Sequence, residues 1–143
     1  MSDGWFRWLL DVDLPALLTE ACDAVHARDL SRVPGPAGLT LATALDRSLV
    51  TCDQEFRGPW SMGPRHPGIA VFEARPTDPA EVERNLSLLE FRIRQYGNIR
   101  LAGSRYLLRT GRTVSQIRDD GTEVELAPWK QPRLAGVPAF GLA

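Results

Sequence analysis

The sequence predicts an α/β fold, a three-layer α/β/α arrangement with a mostly parallel central sheet and a C-terminal antiparallel hairpin. Three observations carry this. Strand-like and helix-like segments alternate through most of the chain, the order that gives a parallel sheet covered on both faces. "SLVT", Ser48 to Thr51, is a short continuous apolar run of the fully buried kind. The turn signal "DDG", Asp119 to Gly121, sits between two strand-like runs near the end and predicts a hairpin.

Taken in order, Trp5 to Leu10 reads as a short buried strand. Pro15 suits the first turn of a helix through "PALLTEAC", with Asp13 or Leu14 near its cap. "DAVHARDL" alternates apolar and polar residues and reads as a second strand, and "SRVPGPAG" as a loop. "LTLATALDR" continues as a helix, followed by the "SLVT" strand. "CDQEFRGPWSMGPRHPG" is loop-like, with room for a helical turn at its start. "IAVFEAR", Ile69 to Arg75, is a further strand. "TDPAEVERNLSLLEFRIRQYG" is the strongest helix: Thr77 or Asp78 caps it, Pro79 starts it, Glu81 and Glu83 suit its positive end, and Gly97 stops it. "YLLRTGRTVSQIRDDGTEVEL" holds two or three short strands. The expected organisation is one domain over 1–126 and an irregular tail over 127–143, rich in Pro, Gly and Ala.

The 143 residues suit one domain, and 43% apolar content supports a core rather than disorder. The net charge of -1 excludes a global basic field for nucleic acid. Its distribution is uneven: residues 1–83 carry 7 Arg and 13 acids, whereas residues 84–118 carry 8 Arg and Glu90 alone. Such a division suits an acidic metal site beside an anion-binding surface, or salt-bridged solvated faces. Cys22 and Cys52 form no C-x-x-C pair and no Cys/His cluster, so buried thiols in a reducing cytoplasm are expected rather than zinc ligands. No apolar run approaches the ~18 residues of a membrane span. A soluble cytoplasmic protein is the expectation.

The chemistry-bearing residues are carboxylates at strand ends. Asp11 and Asp13 follow the first strand; Asp53 and Glu55 follow "SLVT". Open α/β sheets bind ligands beyond the carboxyl ends of their strands. If the two strands are neighbours, like charges meet there and a cation between them offsets the repulsion. An all-oxygen set suits Mg2+ or Mn2+, which activates water and steadies the leaving oxygen of a phosphodiester. The alternative is that Asp13 caps a helix while Asp53 and Glu55 cap a turn. Aspartyl-phosphate chemistries also place Asp-x-Asp after a first strand, but they use a lysine near the phosphate. The sole lysine, Lys130, lies in the tail.

"LLDVDLP", "DAVHARDL", "DRSLVTCDQEF" and "RHPGIAVF" occur in an order and spacing that resembles the PIN-like nucleases described as predicted toxin–antitoxin nucleases. The resemblance covers about Trp8 to Gly97, and "YLLRTGRTVSQIR" is similar to the closing hairpin of that family. It implies a PIN-type fold, metal-dependent RNA cleavage, an antitoxin protein partner and a homodimer. Asp11 matches the first acid, Asp53 the acid after the "LVT" strand and Glu55 the second acid of that motif. Thr51 matches a threonine whose hydroxyl orients Asp53 or a metal-bound water. Two departures stand out: Val12 and Asp13 replace Glu and Asn, and "PGPAGLTL" lacks the acidic pair usual at the start of the second helix.

Asp11 and Asp53 are thus the candidate catalytic residues, with Asp11, Asp13, Asp53 and Glu55 the candidate ligands of Mg2+ or Mn2+. Thr51, Arg57, Arg65 and His66 are candidate substrate-binding residues. The last three lie in the loop after the site, where they suit RNA phosphates or simply a solvated loop. Arg92, Arg94, Arg100, Arg105, Arg109 and Arg112 suit an RNA backbone or an acidic partner segment. His26 reads as structural, and Trp5, Trp8 and Trp60 as packing. The expected function is a PIN-like metal-dependent ribonuclease, the toxin of a toxin–antitoxin pair. Its alternative is a degenerate PIN-like module that binds RNA or a partner protein without cutting.

Overall fold

In the computed structural model, which describes residues 6–17, 22–30, 38–109 and 113–127, the short apolar runs become strands of one sheet. The strands are β1 (Trp8–Leu10), β2 (Ala24–His26), β3 (Ser48–Thr51), β4 (Ile69–Phe72), β5 (Arg105–Arg109), β6 (Thr113–Ile117) and β7 (Glu123–Glu125). The α-helices are α1 (Gly38–Leu45), between β2 and β3, and α2 (Pro79–Tyr96), between β4 and β5. The spatial order is β2-β1-β3-β4-β5-β6-β7. β1 to β5 pair in parallel, and β5-β6-β7 pair antiparallel.

Side chains alternate across the sheet and so define its two faces. Trp8, Leu10, Val50, Ala70, Phe72, Tyr106, Leu108 and Val114 pack with Val82, Leu86, Leu89 and Ile93 of α2. Their sequence neighbours point the other way: Leu9 and Leu49 meet Ala42 of α1. Ile69, Val71, Leu107 and Ile117 meet Leu39, Phe56 and Trp60. The central strands are buried on both faces, which is why they read as unbroken apolar runs.

Helix boundaries follow from local chemistry. Asp78 caps α2 by accepting the Ala80 N–H at 2.9 Å, and Pro79 begins it with no N–H to leave unsatisfied. Gly97 ends it in the left-handed conformation, φ 74°, its N–H donating to the Ile93 carbonyl. Among the described residues no helix is long and apolar enough to cross a membrane.

Several segments differ from the sequence expectation. "DAVHARDL" is strand only over Ala24–His26; Ala27–Leu30 form a 3-10 turn, because the His26 ring accepts the Arg28 N–H and curls the chain. Pro15 to Leu17 are not helical, and residues 18–21 of that expected helix lie outside the described residues. β4 ends at Phe72, three residues before Arg75. The third possible C-terminal strand is present as β7, hydrogen-bonded to β6 across the Asp119–Gly121 turn. Trp5, Arg112 and the expected tail from residue 128 onward lie outside the described residues.

The long segment between β3 and β4 runs from one edge of the sheet back to the other. Arg105, at the start of β5, fixes it by donating to the carbonyls of Phe56, Gly58 and Arg118, each at 2.7 Å. Gly68 closes it with φ 114°. A Cβ there would lie 2.5 Å from the Leu101 carbonyl oxygen, so only glycine fits.

Candidate functional site

The strand order places a topological switch point between β1 and β3. From β1 the chain moves outward to β2, then returns past β1 to β3 and continues the other way to β4. Ligands of open α/β sheets bind in the crevice at the carboxyl end of such a point. Asp11 is the first residue beyond β1, and Thr51 the last residue of β3. Leu10 is in register with Val50, and the Asp11 N–H donates to the Val50 carbonyl at 2.9 Å, so the two strands stay paired as they reach this edge.

Both oxygens of Asp11 are held. Oδ1 accepts the Val12 N–H at 2.7 Å, and Oδ2 accepts the Thr51 hydroxyl at 2.8 Å. Thr51 is fully buried, and its Oγ1 in turn accepts the Asp53 N–H at 3.0 Å. One hydroxyl therefore couples the ends of β1 and β3 and fixes the rotamer of Asp11. Asp53 caps the short 3-10 helix Gln54–Arg57, its Oδ1 accepting the Glu55 N–H at 3.0 Å. Gln54 ties this turn to the next strand, donating to the carbonyls of Cys52 and Phe72 at 2.9 Å each. Asp13 and Glu55 are both exposed. The half-buried Cys52 lies among these groups: burial, then the negative charge of Asp13, push its thiol pKa up. The buried Cys22 thiol is pushed up to about 11 by burial.

No family model, curated protein or solved structure matches this chain.

Asp11, Thr51 and Asp53 come together at the switch point as an interlinked set. Asp13 and Glu55 lie on the same edge. Among the described residues, however, no three His, Cys, Asp or Glu side chains group as a metal-holding set. The donors therefore do not fit a dedicated protein cage or a two-metal centre. Mg2+ makes a lesser demand, commonly taking one or two carboxylates and completing its shell with waters and substrate phosphates.

Of the other sequence candidates, Arg57 ends the turn that Asp53 caps, whereas Arg65 and His66 lie elsewhere. Arg57 bonds to Gln54 and pairs with Glu123 at 2.9 Å. Arg65 is exposed and His66 buried, both just before β4 starts, at the sheet edge opposite Asp11. The His66 Nδ1 accepts the Gly68 N–H at 3.1 Å, and the ring packs edge-on to Trp60. Burial and the nearby Arg105 lower its pKa. The basic stretch does not form one face: Arg92 and Arg105 are buried, and Arg109 pairs with Glu73 and Glu123. His26 is structural, its Nδ1 accepting the Arg28 N–H, so Nε2 carries the proton to the Leu14 carbonyl at 2.6 Å.

Two residues near the site carried no sequence signal. Arg75 Nε donates to the Asp13 carbonyl at 3.1 Å, and Arg28 Nη2 to the Val12 carbonyl at 3.3 Å. Each arrives from a different part of the chain, so no local spacing could have assigned it.

Proposed function

We propose that this chain is a PIN-like, three-layer α/β/α ribonuclease that hydrolyses RNA phosphodiester bonds with Mg2+ or Mn2+, acting as the toxin of a toxin–antitoxin pair. The observation that carries the reading is the pairing of Asp11 and Thr51 at 2.8 Å across the β1/β3 switch point, with Asp53 linked to the same hydroxyl. Four segments in family order led to the same two acids from the sequence. Asp11 and Asp53 would hold the ion, its shell completed by waters and substrate phosphates. Held there, such an ion would supply Lewis-acid polarisation of a phosphoryl oxygen. The chain's own part is orientation: Thr51 and the Val12 N–H keep the Asp11 carboxylate in one rotamer, so it loses little freedom when a ligand arrives.

A second reading is a non-catalytic PIN-like module that binds RNA or a partner protein. One observation favours it: no metal-holding group of three acids forms among the described residues. Val12, which stands where the resemblance expects an acid, is 46% exposed beside Asp11 and could contact a partner instead.

Manganese titration of the parent and of Asp11→Asn and Asp53→Asn variants separates the two. The nuclease reading expects saturable binding that both substitutions abolish. Absence of binding at millimolar ion would overturn it. RNA or partner binding that survives both substitutions, without metal binding by the parent, would establish the module.

A further inference from the structure

The turn that carries Asp11 and Asp13 is held by its carbonyls. Leu14 N–H closes it onto the Asp11 carbonyl at 3.0 Å. The next three carbonyls, those of Val12, Asp13 and Leu14, each accept a side chain from another strand end: Arg28, Arg75 and His26 respectively. His26 is buried and both its ring nitrogens are occupied, so its part ends with the turn.

The arginines are different. Both are exposed. Arg28 comes from the turn after β2 and Arg75 from the segment after β4, so they approach the β1 turn from opposite flanks. Each commits one nitrogen to its tether. A guanidinium carries five N–H donors, so most of each fork stays open. Neither is ion-paired to a described carboxylate, unlike Arg57 and Arg109. The charge of Arg75 reaches the site, since it acts on the Cys52 thiol against Asp13 and Asp11.

A phosphodiester approaching Asp11 meets two carboxylates of its own sign in Asp11 and Asp13. Fixed cations on both flanks offset that repulsion, and a guanidinium fork matches phosphate oxygens two at a time. The tethers also hold the forks in place before a ligand arrives, which lowers the entropy cost of binding. We infer that Arg28 and Arg75 form a two-sided guanidinium clamp that seats an RNA backbone with one phosphodiester facing Asp11, an inference that rests on reading the switch point as an RNA site. It takes the phosphate-binding role away from the loop that carries Arg65 and His66. That loop returns to the opposite edge of the sheet.

The test measures binding of a labelled single-stranded RNA to the full chain in EDTA, as a function of salt. Parent, Arg28→Gln, Arg75→Gln and, as a control just before β1 at the opposite sheet edge, Arg7→Gln are compared. Each clamp substitution should lower the slope of log affinity against log salt by about 0.7, the value for one single-strand phosphate contact. Each should also weaken binding at low salt roughly tenfold. Arg7→Gln should match the parent. A second measurement needs no substitution: bound RNA should shield Arg28 and Arg75 of the parent from phenylglyoxal and leave Arg65 reactive. RNA binding with parental slopes in both clamp variants, or shielding of Arg65 in place of Arg28 and Arg75, would overturn the clamp alone. A parent that binds no RNA in EDTA would overturn the clamp, and a parent that also cuts no RNA in manganese would overturn the functional reading with it.

Discussion

Thr51 shows how much a single side chain contributes here. It is fully buried, donates to Asp11 Oδ2 and accepts from the Asp53 N–H. Thr51→Val keeps the shape but strips both partners of a hydrogen bond. The expected cost is about 1–3 kcal/mol, read as a lower urea midpoint; an unchanged midpoint would show the coupling to be incidental. His66 gives a pH-dependent prediction. Its folded pKa lies below the ordinary 6.5, first through burial and then through Arg105. The unfolded chain therefore binds the proton more readily. Its stabilising contribution is complete above about pH 6.5 and is lost as pH falls through the lower folded value. His66→Asn should flatten the change in urea midpoint between pH 7.5 and pH 5. A parental pH profile in that variant would assign the titration to other groups. At this scale the sequence reading was uneven for a physical reason. The placement of Asp11, Thr51 and Asp53 at two strand ends was legible because strand ends are local features. Arg28 and Arg75 were not, because their partners are carbonyls of a distant turn. His66 and Arg65 looked close to the site because they follow it in the chain, yet the chain crosses the whole sheet before reaching them.

At the scale of elements, the strongest helix was readable because its ends are chemical: Pro79 and Gly97 mark its start and stop, and the cap, open between Thr77 and Asp78 in the sequence, is Asp78. The strands were readable in place but not in extent. β2 stops at His26 because a side chain competes for the backbone N–H of Arg28, and β4 stops at Phe72, where the chain turns toward Arg75 and the β1 turn. Strand β7, exposed along its length, carries two glutamates, and a charged edge resists pairing with another chain. The connection before β4 depends on one backbone conformation. Gly68→Ala would force a positive φ on an L side chain and drive its Cβ against the Leu101 carbonyl. A loss of about 1–3 kcal/mol is expected from the conformation alone, more with the clash, measured by chemical denaturation. A neutral effect would mean that the Leu101 segment moves aside freely.

For the whole molecule, the decisive feature is strand order, which no single segment encodes. The expected alternation of strands and helices gave the parallel sheet, but only the order β2-β1-β3-β4 puts the acids after β1 and β3 side by side at a switch point. From the basic stretch, Arg105 is buried against carbonyls and Arg109 is paired with Glu73 and Glu123, while two arginines from the acidic first half stand beside Asp11 and Asp13. Sequence order is therefore a poor guide to the field around the site. The central claim, that this switch point cleaves RNA around Asp11, is tested most directly by one measurement: the rate at which an end-labelled single-stranded RNA is cut in manganese by the parent and by Asp11→Asn. Metal-dependent cleavage by the parent and a loss of at least a hundredfold in the variant are expected, as when a transition-state electrostatic group is removed. Equal rates in the two proteins, or no cleavage by the parent, would contradict that claim.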